Sequence, residues 1–185
     1  MMNKTNNRPI PESYWALPGR LLAGEYPGLS DEELTRKRID ALIKAGFDVF
    51  IDLTQLHETV PYAGILREEA KTYEVDTKHQ RFPIGDFGLP TIEQMNAILN
   101  AIEAGLDAGH KIYLHCWGGI GRTGTTVGCY LVRQGRTGEE ALRQLSTWWR
   151  TVPKSLYHPY SPETKEQMDF VLRWAEHDEK ASGRE

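Results

Sequence analysis

The run His115–Gly124, with the sequence HCWGGIGRTG, constrains the fold of this chain of 185 residues more than any other segment. The apolar segment Lys111–His115 leads into it and predicts a short buried strand, and a helix is predicted from Arg122 to about Gln134. The glycines therefore fall in a turn between a strand and a helix. Such turns lie at the carboxyl edge of a parallel sheet, where α/β folds bind ligands.

The residue types in this turn suit a phosphate group. Backbone N–H groups of a glycine-rich turn can surround an anion, and the amino-terminal end of the following helix adds its own unpaired N–H groups. Arg122 offers a planar pair of donors to two phosphate oxygens, and the same positive field favours the thiolate form of Cys116 at neutral pH. We expect the residues between them to bind phosphate, with the glycines permitting positive φ angles: Trp117, Gly118, Gly119, Ile120 and Gly121.

These features predict a cysteine-dependent phosphomonoester hydrolase. Cys116 would attack phosphorus and form a phosphocysteine intermediate, which water would then hydrolyse. The motif resembles the signature loop of the protein tyrosine phosphatase superfamily, in which His-Cys is followed by five residues and then by Arg-Ser/Thr. It is most similar to the small dual-specificity branch, which implies phosphotyrosine and/or phosphoserine/threonine proteins, or a small phosphate ester, as substrates and a shallow pocket.

The resemblance also implies a general acid on a mobile loop about thirty residues before the cysteine. The segment Phe82–Pro90 lies at that distance, and Asp86 within it precedes Cys116 by thirty positions. Gly85 and Gly88 flank Asp86, as expected of a loop that closes over a substrate. Because an alkoxide is a poor leaving group, such a proton donor is needed. We predict that Asp86 is this acid, with an ordinary turn aspartate as the alternative.

Four further residues are predicted to support the site. His115 is expected to orient the loop through backbone hydrogen bonds, and Thr123 to donate its hydroxyl to the sulfur or to cap the helix. By resemblance, Gln167 would help position the hydrolytic water, although a solvent-facing glutamine is an equal alternative. Glu58 resembles the carboxylate that holds the loop arginine, with a solvated loop glutamate as the alternative. The other histidines have no metal-ligand spacing, so no metal and no cofactor are predicted.

Helical and strand patterns alternate along the chain and predict a single-domain α/β sandwich with a central mixed, partly parallel sheet flanked by helices. Besides the elements around the loop, two strands are predicted, over 47–53 and near 80–84. Two helices are predicted before the glycine-rich loop apart from the one at 65–73: one from a capping box of Ser30 and Glu33 to about Ala45, and one opened by Thr91 and Gln94 and ended by Gly109. Two more helices are predicted after the loop helix, one capped by Thr137 and Glu140 and running through Trp149, and one from Ser161-Pro162 to about Glu176.

The domain is predicted over 13–177, between a flexible amino-terminal segment, 1–12, and a flexible tail, 178–185. The polar start of the sequence predicts no secretory signal, and two cysteines do not make a disulfide framework, so a cytoplasmic location is expected. The apolar runs are too short for a membrane span. A net charge of −4 argues against nucleic acid as a partner, although the segment 110–138 holds four cations and no acidic residue, as an anion site would require. The oligomeric state stays open.

Two alternative functions remain at this point. The first is hydrolysis of phosphoinositides or other non-protein phosphate esters. Relatives that act on lipids often carry a lysine in the loop, whereas Trp117 and Ile120 occupy the variable positions here. The second is a phosphate-binding module without turnover. Inactive relatives commonly lose one of the reacting residues, but Cys116, Arg122 and Asp86 are all present.

Overall fold

The computed structural model describes residues 8–180, which contain a five-stranded mixed sheet in the order β1-β2-β5-β3-β4. The strands are β1 (Ser13–Leu17), β2 (Leu21–Gly24), β3 (Val49–Asp52), β4 (Lys78–Arg81) and β5 (Ile112–His115). Only β1 pairs antiparallel, and the other four strands are parallel. The predicted mixed, partly parallel sheet is therefore confirmed.

The parallel register brings four strand ends to one edge of the sheet. His115, the last residue of β5, pairs with Gly24 of β2 and with Asp52 of β3, which in turn pairs with Arg81 of β4. The chain leaves β5 at this edge and enters the glycine-rich loop. The loop therefore lies where the carboxyl ends of the parallel strands meet, as the strand–turn–helix pattern predicted.

Six α-helices cover the two faces of the sheet. Their bounds are α1 Glu32–Lys44, α2 Ala63–Thr72, α3 Ile92–Asp107, α4 Gly121–Arg133, α5 Gly138–Trp149 and α6 Lys165–Arg173, with short 3₁₀ helices at Pro153–Leu156 and Trp174–Glu176. Side chains alternate along each strand, so successive residues face opposite layers. Leu22 and Phe50 pack with α1 and α2, whereas Ala23 and Ile51 pack with α3 to α6.

All six predicted helices are present, but α2 and α4 begin two residues and one residue earlier than predicted, and α1 and α6 are capped by other residues than predicted. Asp31, not Ser30, caps α1, because its carboxylate accepts a hydrogen bond from the backbone N–H of Leu34 at 3.0 Å. The last helix starts at Lys165, where Thr164 and Gln167 form a capping box, rather than at Ser161-Pro162. Thr137 and Glu140 form the capping box predicted for α5.

Strands β1 and β2 were not predicted. All four residues of β2 are buried, so the strand lacks the alternation of polar and apolar residues that reveals a half-buried strand. Pro18-Gly19 lies between the two strands, and Gly19 has a φ of +72°. This dipeptide is a turn signal that could have located the hairpin.

Residues just outside both limits of the predicted domain are packed against the rest of the protein. Ile10 is fully buried in the core that contains α1 and α2. Near the other end, Asp178 is buried and its carboxylate lies 2.6 Å from Nη2 of Arg133 on α4. Ile10 and Asp178 are therefore packed against the rest of the protein, inside the two segments predicted to be flexible. The remainder of the two predicted flexible segments lies outside the described residues.

Candidate active site

Cys116 and the loop that follows it form the floor of a pocket of about 230 Å³. The pocket is lined by Asp86, Phe87, Cys116, Trp117, Gly118, Ile120, Gly121, Arg122, Lys154, His158 and Glu163. Gly119 has a φ of +73°, and a Cβ atom there would lie 2.4 Å from the backbone carbon of Gly24. Of the three loop glycines predicted to permit positive φ, only Gly119 has a positive φ.

The carbonyl groups of the loop are held by donors outside it. The carbonyl oxygen of Trp117 accepts from the N–H of Tyr26 at 2.9 Å, and that of Gly118 accepts from Nζ of Lys154 at 3.0 Å. Ser161 donates its hydroxyl to the carbonyl oxygen of Ile120 at 2.8 Å. Within residues 8–180, none of the backbone N–H groups of 117–121 donates to a protein oxygen. The loop therefore presents unpaired amide donors, which is the arrangement that binds an anion.

Arg122 lies in the first turn of α4, with its guanidinium buried beneath the pocket. Its Nη1 donates to the carbonyl oxygen of Ile84 at 3.0 Å and to Oε2 of Glu58 at 2.8 Å, and its Nη2 donates to Oε1 of Glu58 at 2.6 Å. Burial acts to lower the pKa of Arg122, but the hydrogen bonds that it donates to Glu58 and the negative charges nearby outweigh burial and raise that pKa. The arginine is therefore cationic and fixed in orientation.

Glu58 contacts the guanidinium through both carboxylate oxygens, as the resemblance implied and contrary to the solvated alternative. Burial acts to raise the pKa of Glu58, but the hydrogen bonds from Arg122 and from the N–H of Gln55 lower it. The carboxylate is therefore ionised at neutral pH and completes a bidentate ion pair. This pair joins the loop after β3 to the start of α4.

Asp86 lines the pocket on a turn in which the N–H of Gly88 donates to the carbonyl oxygen of Gly85 at 2.9 Å. Its Oδ1 accepts from Nη2 of Arg122 at 3.0 Å and from the N–H of Phe87 at 3.1 Å. About half of the Asp86 side chain is exposed at the pocket mouth. The structure thus places all three predicted reacting residues, Cys116, Arg122 and Asp86, in one pocket.

His115 is fully buried beneath the loop. Its Nδ1 lies 3.2 Å from the carbonyl oxygen of Cys116, and its Nε2 lies 2.7 Å from the hydroxyl of Tyr62. Burial lowers the pKa of His115 to about 4, so the ring is neutral at pH 7. A neutral ring with the proton on Nδ1 donates to the loop carbonyl and accepts from Tyr62, which matches the predicted backbone contact.

Asp52, at the end of β3, is a buried residue near the site that the sequence analysis did not single out. Its carboxylate accepts from Thr54 and Arg81 and lies 3.1 Å from Nε2 of His79, while Nδ1 of His115 is 3.9 Å away. Burial acts to raise the pKa of Asp52, but the hydrogen bonds with His79 and Thr54 hold it far below its usual range. A charged residue at the end of an otherwise buried strand was the available signal.

Gln167 is fully buried, so the solvent-facing alternative is wrong. Its Oε1 accepts from the N–H groups of Glu163 and Thr164 at 3.0 and 3.1 Å, and its Nε2 donates to the carbonyl oxygen of Gly88 at 3.2 Å. A Cβ atom on Gly121 would lie 2.8 Å from the same amide oxygen. Gln167 thus connects the start of α6, the loop of Asp86 and the glycine-rich loop.

Thr123 makes neither of the two contacts predicted for it. Its hydroxyl is buried and has no hydrogen-bond partner among the described residues, neither the Cys116 sulfur nor a backbone N–H of the first turn of α4. The side chain lies deeper in the helix turn than a capping position would place it.

Three pocket residues, Lys154, His158 and Glu163, were missed by the sequence analysis. They lie between α5 and α6, in a segment with no helical or strand periodicity, and contacts with distant residues bring them to the pocket. Of the four cations in 110–138, only Arg122 lines the pocket, and Arg133 is instead buried with Asp178. Burial raises the pKa of Cys129 well above its usual value, as expected for a core thiol.

Two further features bear on the expected partners. In the part of the chain that the structure describes, no group of three or more His, Cys, Asp or Glu side chains is arranged to hold a metal ion. No helix within residues 8–180 is long and apolar enough to cross a bilayer.

A family model described as "Polymorphic toxin system, DSP-PTPase phosphatase" matches residues 28–136, more than half of the chain. The chain belongs to this DSP-PTPase family. The matched segment contains Glu58, Asp86 and the whole run His115–Gly124. The resemblance inferred from the loop is therefore confirmed, and the segment 153–163 of this DSP-PTPase lies outside the matched region.

Similar proteins agree with the family and the fold. A protein of Invertebrate iridescent virus 6 named as a candidate tyrosine phosphatase, 197R, is 29% identical over 155 residues, 82% of this chain and 49% of the viral protein. The uncharacterised protein MJECL20 of Methanocaldococcus jannaschii is 32% identical over 92 residues, 50% of this chain and 56% of that protein. This DSP-PTPase thus spans about half the length of both relatives. Among solved structures, the fold resembles the crystal structure of Tk-PTP in the active form, with a TM-score of 0.67 and 26% sequence identity. The superposition covers 95% of this chain and 99% of Tk-PTP.

Proposed function

We propose that the chain is a cysteine-dependent phosphomonoester hydrolase that acts on phosphotyrosine and/or phosphoserine/threonine proteins through a phosphocysteine intermediate. The observation that carries the proposal is the set of backbone N–H groups at 117–121 beside Cys116 that have no protein acceptor within residues 8–180, while the carbonyl oxygens of Trp117, Gly118 and Ile120 accept from donors outside the loop. These donors supply a dense positive field without placing a bulky charge in the path of the attacking sulfur. Membership of the DSP-PTPase family supports the same chemistry.

In the first step, the Cys116 thiolate attacks phosphorus in line with the leaving oxygen. A sulfur–phosphorus bond forms, the bond between phosphorus and the leaving oxygen breaks, and Asp86 transfers its proton to that oxygen. Arg122 and the amide donors bind the three non-bridging oxygens, on which negative charge is spread in a loose transition state. Glu58 holds the guanidinium in place, so the guanidinium itself need not reorient when the substrate displaces Asp86 from Nη2.

In the second step, water attacks the phosphorus of phosphocysteine. The Asp86 carboxylate accepts a proton from this water, the sulfur–phosphorus bond breaks, and the thiolate and inorganic phosphate are regenerated. Oε1 of Gln167 accepts from two N–H groups, and Nε2 donates to the carbonyl oxygen of Gly88. Its contribution in this proposal is to position the Asp86 loop through Gly88.

The pocket favours a single phosphate group over a polyphosphorylated headgroup. The side chains between Cys116 and Arg122 carry no positive charge, and Trp117 and Ile120 occupy the two positions that are not glycine. Among residues 8–180, Lys154 is the only lysine that lines the pocket, and its ammonium group lies 2.7 Å from Oε2 of Glu25. Phosphoinositide hydrolysis is therefore the less favoured substrate class.

Hydrolysis of p-nitrophenyl phosphate by the wild type, Cys116→Ser and Cys129→Ala tests the mechanism. We expect Cys116→Ser to abolish turnover and Cys129→Ala, which changes the second buried cysteine, to retain most of it. Rapid quenching of the wild type should also trap a phosphoryl group on Cys116, detected by peptide mass. Equal rates for Cys116→Ser and the wild type would disprove the mechanism. A panel of phosphopeptides and phosphoinositides, compared by kcat/KM, then identifies the substrate class.

A further inference from the structure

The mouth of the pocket carries an unusual amount of exposed apolar surface. Within residues 8–180, the four most exposed aromatic side chains are Phe87 (60%), Trp117 (62%), Tyr157 (84%) and Tyr160 (67%). Leu156, adjacent to Tyr157, is 82% exposed. Phe87 and Trp117 line the pocket, and the other three belong to the segment that supplies Lys154, His158 and Glu163. We call these five side chains the apolar collar.

The backbone that carries the collar is held firmly by the rest of the protein. The N–H of Lys154 donates to Oε2 of Glu12 at 2.9 Å. Nε1 of the buried Trp149 donates to the carbonyl oxygen of His158 at 2.7 Å, and the hydroxyl of Ser161 donates to the carbonyl oxygen of Ile120 in the glycine-rich loop. The exposed side chains are therefore displayed on a fixed scaffold and not on a frayed segment. Exposed apolar patches on ordered backbone mark interaction surfaces.

The position of the collar determines which part of a partner it can contact. Two of its side chains, Phe87 and Trp117, line the phosphate pocket, and the other three lie within two residues of Lys154 or His158, which also line it. A phosphorylated side chain bound over Cys116 would bring its own polypeptide backbone to the pocket mouth. The residues before and after it would then lie against the collar. Large aromatic side chains at such a mouth supply contact area at low conformational cost.

Charge at the pocket mouth favours a polypeptide over a lipid bilayer. The ammonium group of Lys154 is paired with Glu25, and Arg122 is bound by Glu58 and Asp86. The other charged groups here are the carboxylates of Asp86 and Glu163, in a chain with a net charge of −4. Attraction to anionic membranes requires clustered Lys or Arg side chains near the surface, and this mouth does not supply such a cluster.

We propose that the apolar collar binds the polypeptide on both sides of the phosphorylated residue and selects substrates with apolar side chains next to it. The inference rests on the proposed phosphatase function and narrows it to phosphoproteins with apolar sequence around the phosphorylated residue. Leu156 and Tyr157 give the clearest test, because they are the most exposed members and do not line the pocket.

Two phosphotyrosine peptides of equal length and charge test the proposal on the full chain. One carries Leu and Phe on both sides of the phosphotyrosine, and the other carries Ser and Gly. We expect the wild type to prefer the apolar peptide by about tenfold in kcat/KM, and Leu156→Ser/Tyr157→Ser to reduce this ratio to about one. Val75→Ser, which changes a half-exposed side chain outside the pocket, is the matched control and should keep the ratio.

Hydrolysis of p-nitrophenyl phosphate, which has no flanking polypeptide, separates the two proposals. Loss of this activity in the wild type would overturn the phosphatase function itself. If the wild type hydrolyses it but shows no preference between the peptides, or if Leu156→Ser/Tyr157→Ser keeps the preference, the collar proposal is wrong while the phosphatase function stands. Sedimentation with phosphatidylcholine vesicles, with and without phosphatidylserine, tests the bilayer, and binding that the double variant abolishes would overturn the assignment to a polypeptide.

Discussion

Arg122 and Glu58, sixty-four residues apart in sequence, form a bidentate ion pair with nitrogen–oxygen distances of 2.8 and 2.6 Å. The guanidinium is buried, and a buried charge without a partner is costly. Glu58 therefore fixes both the charge and the orientation of the arginine before any substrate arrives. Because Nη1 also donates to Ile84 and Nη2 to Asp86, the arginine connects the loop of Glu58 and the loop of Asp86 to the start of α4.

Replacing Glu58 by Gln should weaken substrate binding more than it slows the chemical step. The amide has one acceptor oxygen in place of two and no charge, so Arg122 loses one hydrogen bond and part of its fixed orientation. We expect KM for p-nitrophenyl phosphate to rise about tenfold and the free energy of unfolding to fall by about 1.5–3 kcal/mol. Steady-state kinetics and urea unfolding measure both. Glu33→Gln, an exposed carboxylate paired with Lys37, should change neither, and a Glu58→Gln enzyme with the wild-type KM would contradict the assigned role.

Asp86→Asn should slow turnover in a manner that depends on the leaving group. An amide cannot supply the proton that an alkoxide requires, whereas an activated aryl oxide leaves without one. We expect a decrease in kcat of about 10²–10⁴-fold on alkyl or phosphoserine substrates and a much smaller decrease on p-nitrophenyl phosphate. Rates measured across leaving groups of graded pKa check this. A decrease of equal size on all of them would show that Asp86 is not the acid.

Gln167 makes two sets of contacts that substitutions can test. Gln167→Ala removes the acceptor for two N–H groups at the start of α6 and should cost about 1–2 kcal/mol of stability. Gln167→Glu retains that acceptor, but its second oxygen would face the carbonyl oxygen of Gly88 in a fully buried site. We therefore expect Gln167→Glu to unfold at a lower urea concentration than the wild type and to turn over more slowly, since the Asp86 loop loses an anchor. Wild-type kcat in Gln167→Glu would show that the Gly88 contact does not position the acid.

Gly119 and Gly64 offer a matched pair of Gly→Ala substitutions. At Gly119 the added methyl would overlap the backbone of Gly24 and the φ of +73° would be strained, so we expect severe destabilisation and loss of oxyanion binding. Gly64 lies in α2 with open space around its Cβ position, where alanine should stabilise by about 0.5–1 kcal/mol. Thermal unfolding and vanadate titration of both variants measure the difference. Similar behaviour of the two variants would contradict the tight packing of the loop against β2.

His115 should make the stability of the protein depend on pH. Its pKa is about 4 in the folded protein, and an unfolded histidine titrates near pH 6.5. Between these values the unfolded chain binds a proton that the folded chain does not, so stability falls as the pH decreases through this range. We expect a loss of about 2 kcal/mol from this group between pH 7 and pH 5.

Urea unfolding at the two pH values, compared between variants, measures this contribution. His115→Gln, which keeps one donor and one acceptor, should remove most of the pH dependence, whereas His158→Gln, at an exposed histidine, should preserve it. The idea fails if His115→Gln and the wild type lose the same stability between pH 7 and pH 5. Asp52, whose pKa is held far below its usual range, adds a loss only at more acidic pH.

The site was predictable from sequence where the determining interactions are local. The strand, glycine turn and helix around Cys116 follow from apolar periodicity and from residues within one turn of each other. The pocket wall at 153–163 does not follow from such patterns, because residues far away in sequence hold it in place. Lys154 pairs with Glu25, and Ser161 donates to the carbonyl oxygen of Ile120. No local pattern encodes such contacts.

The misplaced helix starts have a similar explanation. Ser30 and Asp31 are both good capping residues, and only the observed backbone shows that the Asp31 carboxylate reaches the N–H of Leu34. The solvent-facing alternative for Gln167 arose because its position in α6 is ordinary for a surface glutamine. Burial by the Asp86 loop, a tertiary contact, is what changes its environment.

The contact between Asp86 and Arg122 also bears on product inhibition. Because one arm of the guanidinium already donates to a carboxylate of the protein, an arriving dianion must displace that carboxylate, and the net gain is the difference between two salt bridges. Inorganic phosphate makes no contacts through a polypeptide, so we expect its binding free energy to be small. With the proposed phosphatase function, we therefore expect inorganic phosphate to be a weak inhibitor.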